Sequence, residues 1–234
     1  MKLERKLSLS TLDEIRAAFV RDGFAHFNLA THLPEVQVAA SGLELVPEHA
    51  WSHIVKNHEG EFEFPLDRFS EMAGHQRLAE DDLREGRFSF SFERLNDTPA
   101  NAAILELQCM KGLLNSPAMS ELLLHVTARK PSRIVQCYVS RFRKGHFIYT
   151  HRDPGQSFGV AVNLTRRWDP NHGGLTVILD EGGSAVRACL VPVAFQTLVF
   201  DTSERSTPHF VSMVSATPPC ARMAAIARYD ATVE

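Results

Sequence analysis

FRKGHFIYTHRDPG, residues 142–155, is the stretch on which the fold turns. It places His151 and Asp153 one residue apart. On a strand, residues i and i+2 point to the same face, so an imidazole and a carboxylate converge there. One more imidazole would complete a two-histidine, one-carboxylate facial triad, the donor set that holds Fe(II) and leaves three coordination positions open. A bare His-x-Asp is common, and the Asp-Pro-Gly that follows is turn chemistry. A turn at that point agrees with a ligand pair, because functional side chains often sit where a strand runs into a loop.

Around this segment the sequence reads as β structure. Short apolar or alternating runs occupy 133–142, 146–153, 158–165, 174–179, 186–191, 196–201, 209–215 and 222–229, each bounded by Gly, Pro, Asn or Asp. Eight short strands at this spacing predict a sandwich or barrel. Only two histidines follow the His-x-Asp pair. His172 lies in DPNHGG and reads as an exposed loop residue. His209 opens HFVSMV, at the mouth of a strand that puts Val211 and Met213 on its own face, and this position suits a third ligand. Arg222 opens RMAAIARY. A guanidinium in an apolar strand is costly unless it meets an anion, either a protein carboxylate or a bound one held in a bidentate fork.

The first 130 residues read mostly as helix. Thr11 and Glu14 have capping-box spacing ahead of a helix whose Leu12, Ile15 and Phe19 share a face and which stops at Gly23. GFAHFNL predicts a strand that joins the sheet. The segment 31–86, with its charged clusters and Pro47 and Pro65, predicts loops and short helices. Phe88, Phe90 and Phe92 alternate on one face of a strand over 87–95. Two helices follow, over 101–114 and 117–127, with Ser116 as N-cap and Pro117 in the first helical position. The whole predicts one domain over 1–234. Residues 1–130 form a helical, substrate-selecting support and 131–230 form the β core.

Composition narrows the class. The protein has 234 residues, is 44% hydrophobic and 23% charged, and can bury a core without staples. No apolar run approaches the roughly 18 residues of a membrane span, and the charged start carries no secretory signal. A net charge of −3 argues against nucleic acid as partner. Cys109, Cys137, Cys189 and Cys220 are scattered without a CxxC pair, and read as buried apolar residues of a cytoplasmic protein.

The order of His-x-Asp, about 55 residues, His, about 13 residues, then Arg, resembles the Fe(II)- and 2-oxoglutarate-dependent oxygenases of the prolyl hydroxylase type. Phe142 to Gly145 ahead of the His-x-Asp pair, Trp168 with Gly173-Gly174-Leu175, Pro192 to Phe200, and Pro208-His209-x-Val211 are similar to the family's motifs. The likeness spans about residues 87–229. RFSFSF and the SPAMSELLLHVTAR helix are similar, more loosely, to a subgroup of proline hydroxylases acting on translation proteins.

The resemblance implies an α+β fold, a double-stranded β-helix with the N-terminal helices packed on one sheet. It implies Fe(II) on His151, Asp153 and His209, Arg222 on the distal carboxylate of the co-substrate 2-oxoglutarate, and O2 as oxidant. It also implies hydroxylation of a C–H bond on a prolyl or other amino-acid residue, or on a free amino acid. Asn163 stands where the family often has a Tyr on that carboxylate. Asn163, Tyr138 or Tyr149 are expected to replace it, Tyr149 because it shares strand parity with His151. Arg228 lies at even spacing from Arg222, which would let it face the cavity, but it reads first as a strand-end surface residue. Arg141, Arg143 and Arg152 flank the expected mouth, as solvated basic residues or as a draw for an anionic or peptide substrate. A small natural-product substrate is the alternative. A zinc hydrolase leaves Arg222 without a role, and a non-catalytic β-barrel leaves an intact triad without one.

Overall fold

The computed structural model describes residues 2–153, 155–203 and 207–233, and the side chains of 12–153, 155–203 and 207–232. Twelve strands occur among these residues: β1 (Phe24–Asn28), β2 (Ser52–Asn57), β3 (Gly60–Pro65), β4 (Phe90–Asn96), β5 (Arg129–Phe142), β6 (Phe147–His151), β7 (Phe158–Asn163), β8 (Thr176–Leu179), β9 (Val186–Leu190), β10 (Gln196–Asp201), β11 (His209–Val211) and β12 (Arg222–Val233). The α-helices are α1 (Lys2–Asp22), α2 (Val36–Ala39), α3 (Phe69–Arg84), α4 (Leu105–Leu114) and α5 (Pro117–Thr127).

The strands run in the order β1-β10-β7-β12-β5-β4-β6-β11-β8-β9, with every pairing antiparallel. The path folds back at β4, whose residues 93–96 pair with β5 and whose residues 90–91 pair with β6. The first five strands form one wall and β6, β11, β8 and β9 the other. This is a double-stranded β-helix, and the resemblance predicts it correctly.

Period-2 alternation decides which side chains go where. On β5 and β12, Val139, Met223, Ala225, Ala227 and Tyr229 face outward into the main core, together with Val160, Val162 and Val199. The same core holds Ile15 and Phe19 of α1, Leu107, Met110 and Leu114 of α4, and Met119, Leu122 and Leu123 of α5. Burying each large apolar side chain of this set contributes about 1.5–3 kcal/mol. Tyr229 ties helix to sheet by donating from its hydroxyl to the Leu114 carbonyl at 2.7 Å. Ser116 caps α5 as expected, accepting from Met119 N–H at 3.2 Å, with Pro117 next.

Several expectations are corrected. The helix α1 begins at Lys2, so its start is not at Thr11, whose side chain lies outside those described. Nothing in KLERKLSLS breaks a helix, so the capping-box spacing there is incidental. Residues 31–86 hold a hairpin, β2 with β3, and the 16-residue α3, which packs on β2 and β4 rather than on the main wall. The acidic runs conceal both elements. In EGEFEF the glutamates alternate with Phe62 and Phe64, which stack on His75 of α3. Met72, Ala79 and Leu83 form the inward stripe of α3. The strand after Phe88 starts only at Phe90, leaving Phe88 exposed. Cys109 and Cys189 are exposed and Cys137 and Cys220 half-buried, so the cysteines do not behave as core residues. No helix among the described residues is long and apolar enough to cross a membrane.

Candidate active site

The inward faces of the two walls enclose a narrow cavity of about 80 Å³. β5 supplies Tyr138, Ser140 and Phe142, and β12 supplies Arg222, Ala224, Ile226 and Arg228. The opposite wall supplies Ile148, His151, Thr176, His209 and Val211.

His151 and His209 are cross-strand partners on β6 and β11. Their rings lie 4.3 Å apart between centroids. Asp153 follows just past the end of β6. Its Oδ1 is 3.6 Å from His151 Nε2 and its Oδ2 3.8 Å from His209 Nε2. One ligand atom from each residue falls within 4.8 Å of the others. His151 Nδ1 meets the Tyr149 carbonyl at 3.0 Å, and His209 Nδ1 meets the Thr207 carbonyl at 2.9 Å. A carbonyl can only accept, so each Nδ1 carries the proton and each Nε2 presents a lone pair to the shared space. Burial, then the neighbouring His151, pushes His209 down to about 4, so it stays neutral, as a metal ligand must be. The structure thus brings together the three residues singled out in the sequence, and as a donor set they fit a facial-triad metal.

A register shift places His151. His209 pairs with His151, but Val211 pairs with Ile148, so β6 carries one extra residue there. This bulge turns both Ile148 and His151 into the cavity. Tyr149 is turned out, with its hydroxyl beside Gly86, and does not line the cavity. Strand parity alone therefore misplaces Tyr149.

Arg222 is 4% exposed and lies at the far end of the cavity. Its Nη2 donates to Thr176 Oγ1 at 2.9 Å, and its guanidinium sits 4.5 Å from the centre of the Phe142 ring. No protein carboxylate pairs with it among the described residues, and its Nε is buried without a partner. Burial pulls its pKa down to about 10. Gly174, at φ +66°, is part of this arrangement, because a Cβ there would stand 3.2 Å from Arg222 Cδ and 3.1 Å from Trp168. A buried guanidinium with an unpartnered Nε and no carboxylate beside it is a group that an anion would satisfy.

Asn163 lines the cavity, but its Nδ2 donates to the Gln196 carbonyl at 3.0 Å and its buried Oδ1 has no partner. Tyr138 lines it, and burial raises its pKa. Thr176, missed in the sequence, is the residue that touches Arg222. Arg228, read as a surface residue, lines the cavity and pairs with Asp153 Oδ1 at 2.6 Å. Its even spacing from Arg222, the alternative reading in the sequence, is the one that holds. His172 sits edge-on to Trp168, away from the site.

The basic residues expected at the mouth are otherwise engaged. Arg141 and Arg143 are paired with Glu48 and Glu93, and Arg141 stacks on Trp51 at 4.1 Å. Arg152 donates to the Glu181 carbonyl. A second His/Glu cluster, His53, Glu93 and His146, lies outside the cavity. Glu93 is held by both arginines, and His146 Nδ1 accepts from Arg143 N–H, which leaves the proton on Nε2. That cluster is a buried hydrogen-bonded group and not a metal centre.

No protein-family model and no curated protein sequence matches this protein. Solved structures do match in fold. One is an oxidoreductase of the 2OG-Fe(II) oxygenase family from Burkholderia pseudomallei, with TM-score 0.56 and 16% identity over 94% of this chain and 90% of that one. Another is a prolyl hydroxylase from Trichoplax adhaerens in complex with a hypoxia inducible factor peptide, with TM-score 0.55 and 18% identity over 98% and 92%. A third is the non-heme alpha-ketoglutarate-dependent epimerase SnoN of nogalamycin biosynthesis, with TM-score 0.53 and 17% identity over 94% and 82%. The protein thus has the double-stranded β-helix fold seen in 2-oxoglutarate oxygenases.

Proposed function

We propose that this protein is an Fe(II)- and 2-oxoglutarate-dependent dioxygenase that hydroxylates a C–H bond of an amino acid or amino-acid residue. The observation that carries the reading is a cavity with a two-histidine, one-carboxylate set at one side and an orphaned buried arginine at its far end. A zinc hydrolase has no use for that arginine.

In this reading His151, Asp153 and His209 hold the metal through two Nε2 atoms and one carboxylate oxygen. Bound there with 2-oxoglutarate and O2, Fe(II) supplies an oxidative decarboxylation that yields succinate, CO2 and a hydroxylated product. The protein's own residues set the geometry. The Tyr149 and Thr207 carbonyls fix the imidazole tautomers. Arg222, oriented by Thr176 and Phe142, receives the distal carboxylate of 2-oxoglutarate in a charge-assisted fork. Phe92, Ile148, Leu198 and Phe200 give the cavity dry walls that exclude water from the reacting atoms. Asp153 occupies a metal position that a halide would otherwise need, which favours hydroxylation.

The test is anaerobic addition of Fe(II) and 2-oxoglutarate, followed by exposure to air. A weak visible charge-transfer band and slow succinate release are expected. Absence of both, in protein shown to bind a divalent metal, overturns the reading.

A further inference from the structure

The cavity contains one positive charge more than the proposed chemistry uses. Among the described residues that line it, Arg222 and Arg228 are the cations and Asp153 is the only carboxylate. With neutral imidazoles the protein contributes a net charge of +1. A divalent metal and dianionic 2-oxoglutarate cancel one another, so the loaded cavity keeps the same +1. An uncompensated charge in such a low-dielectric space is costly. Arg222 has its own anion in that reading, and Arg228 has only Asp153, which it would share with the metal.

The geometry around Arg228 is that of a receiving site. Arg228 stands six residues after Arg222 on β12, on the same inward face, with Ile226 and Ala224 between them. It touches Asp153 through Nη2 at 2.6 Å, and the Tyr138 side chain lines the same cavity. Its buried Nε–H has no partner. Burial raises the Tyr138 pKa, so its phenol keeps the proton and can donate. The opposed positions on β7 are Gly159 and Ala161, beside Arg228 and Ile226, and the Phe200 ring covers Gly159. Two donors, one of them cationic, therefore converge beside the metal side chains.

We infer that Arg228 and Tyr138 form a second anion site that takes a carboxylate of the primary substrate, so that the substrate carries one negative charge close to the C–H bond attacked. This rests on the oxygenase reading and narrows it, from any amino-acid residue to a free amino acid, the C-terminus of a peptide or an acid of similar size. An interior prolyl residue has no such group.

The experiment uses the full-length protein loaded with Zn(II), which turns nothing over, and trifluoroacetate as a monoanion probe followed by ¹⁹F NMR line width. Trifluoroacetamide is the neutral control. In saturating 2-oxoglutarate, which occupies Arg222, the trifluoroacetate line should still broaden and the amide line should not. Arg228→Met should weaken the probe by about 10–100-fold, the contribution of a charge-assisted hydrogen bond. Arg228→Lys should retain part of it, which separates charge from folding damage. Competition by L-proline or by the dipeptide Gly-Pro then tells a free amino acid from a peptide terminus. The inference is overturned if no broadening survives 2-oxoglutarate, or if Arg228→Met leaves it unchanged. Failure of 2-oxoglutarate to bind removes the oxygenase reading alone. The anion site is then judged in Arg222→Met, where broadening must still depend on Arg228.

Discussion

Replacing Arg222 with methionine should stabilise the protein and abolish its use of 2-oxoglutarate. The guanidinium is buried, keeps one hydrogen bond to Thr176 and has an unpartnered Nε. Burial lowers its pKa from the ordinary arginine value to about 10. At 1.36 kcal/mol for each tenfold change in proton affinity, the charged form is disfavoured in the fold by about 3 kcal/mol. The Thr176 bond and the Phe142 contact already operate in the structure, so the recoverable part is about 1–3 kcal/mol. For a protein of this length 1 kcal/mol moves Tm by roughly 2–4 °C, so Arg222→Met should melt about 2–12 °C higher without ligands. With 2-oxoglutarate the wild type recovers most or all of this difference. A ligand at 100 times its Kd stabilises wild type by about 2.7 kcal/mol, and the variant should show none of this. Differential scanning fluorimetry of both proteins with Zn(II), with and without 2-oxoglutarate, reads both arms. A variant that melts lower when empty, or that keeps its 2-oxoglutarate shift, refutes the assignment of Arg222 as an unsatisfied anion receptor.

His209→Ala should remove divalent-metal binding, because two ligands remain of three; calorimetric titration with Co(II) that still saturates at one equivalent with unchanged affinity contradicts the triad. Tyr149→Phe should leave metal and 2-oxoglutarate affinity within about twofold, since the bulge turns its ring out of the cavity; a loss of tenfold or more in either titration restores Tyr149 to the site. Burial pushes His53 down to about 3 and His146 down to about 4. Both folded values lie below the ordinary histidine value of about 6.5, so the contribution of the neutral pair to stability is complete above that pH and is lost as pH falls towards 4. At pH 5 the loss is about 2 kcal/mol per histidine. Urea unfolding at pH 7 and pH 5 should therefore show a smaller acid loss in the His53→Gln, His146→Gln double variant than in wild type, and equal losses would dismiss the pair as the acid-labile element.

What can be read from the residues follows from which physical signals are local. The alternation on β5, β7, β10 and β12 is strong because one face meets the helices and the other the cavity, so period 2 is written into the sequence itself. The candidate triad is legible for the same reason, since His-x-Asp and His209 each sit at a strand end with apolar neighbours. The bulge in β6 is not legible. It is set by how β6 pairs with β11, a long-range matter that leaves HFIYTHRD looking like an ordinary strand, and so parity puts Tyr149 on the wrong face. The hairpin and α3 are hidden because their solvent faces carry the charges that suggest a loop, while the apolar half of each pattern is only a few residues. Arg228 reads as a surface residue because the apolar run ends at 229. β12 continues to Val233 because β5 extends back to Arg129 to pair with it, and that continuation makes Arg228 an interior position. The errors over Tyr149 and Arg228 thus both concern a partner strand, and the two arginines show the consequence. Arg222 is legible from its own neighbours, whereas Arg228 joins the site only once the register with β5 and β7 places it beside Asp153 and Tyr138.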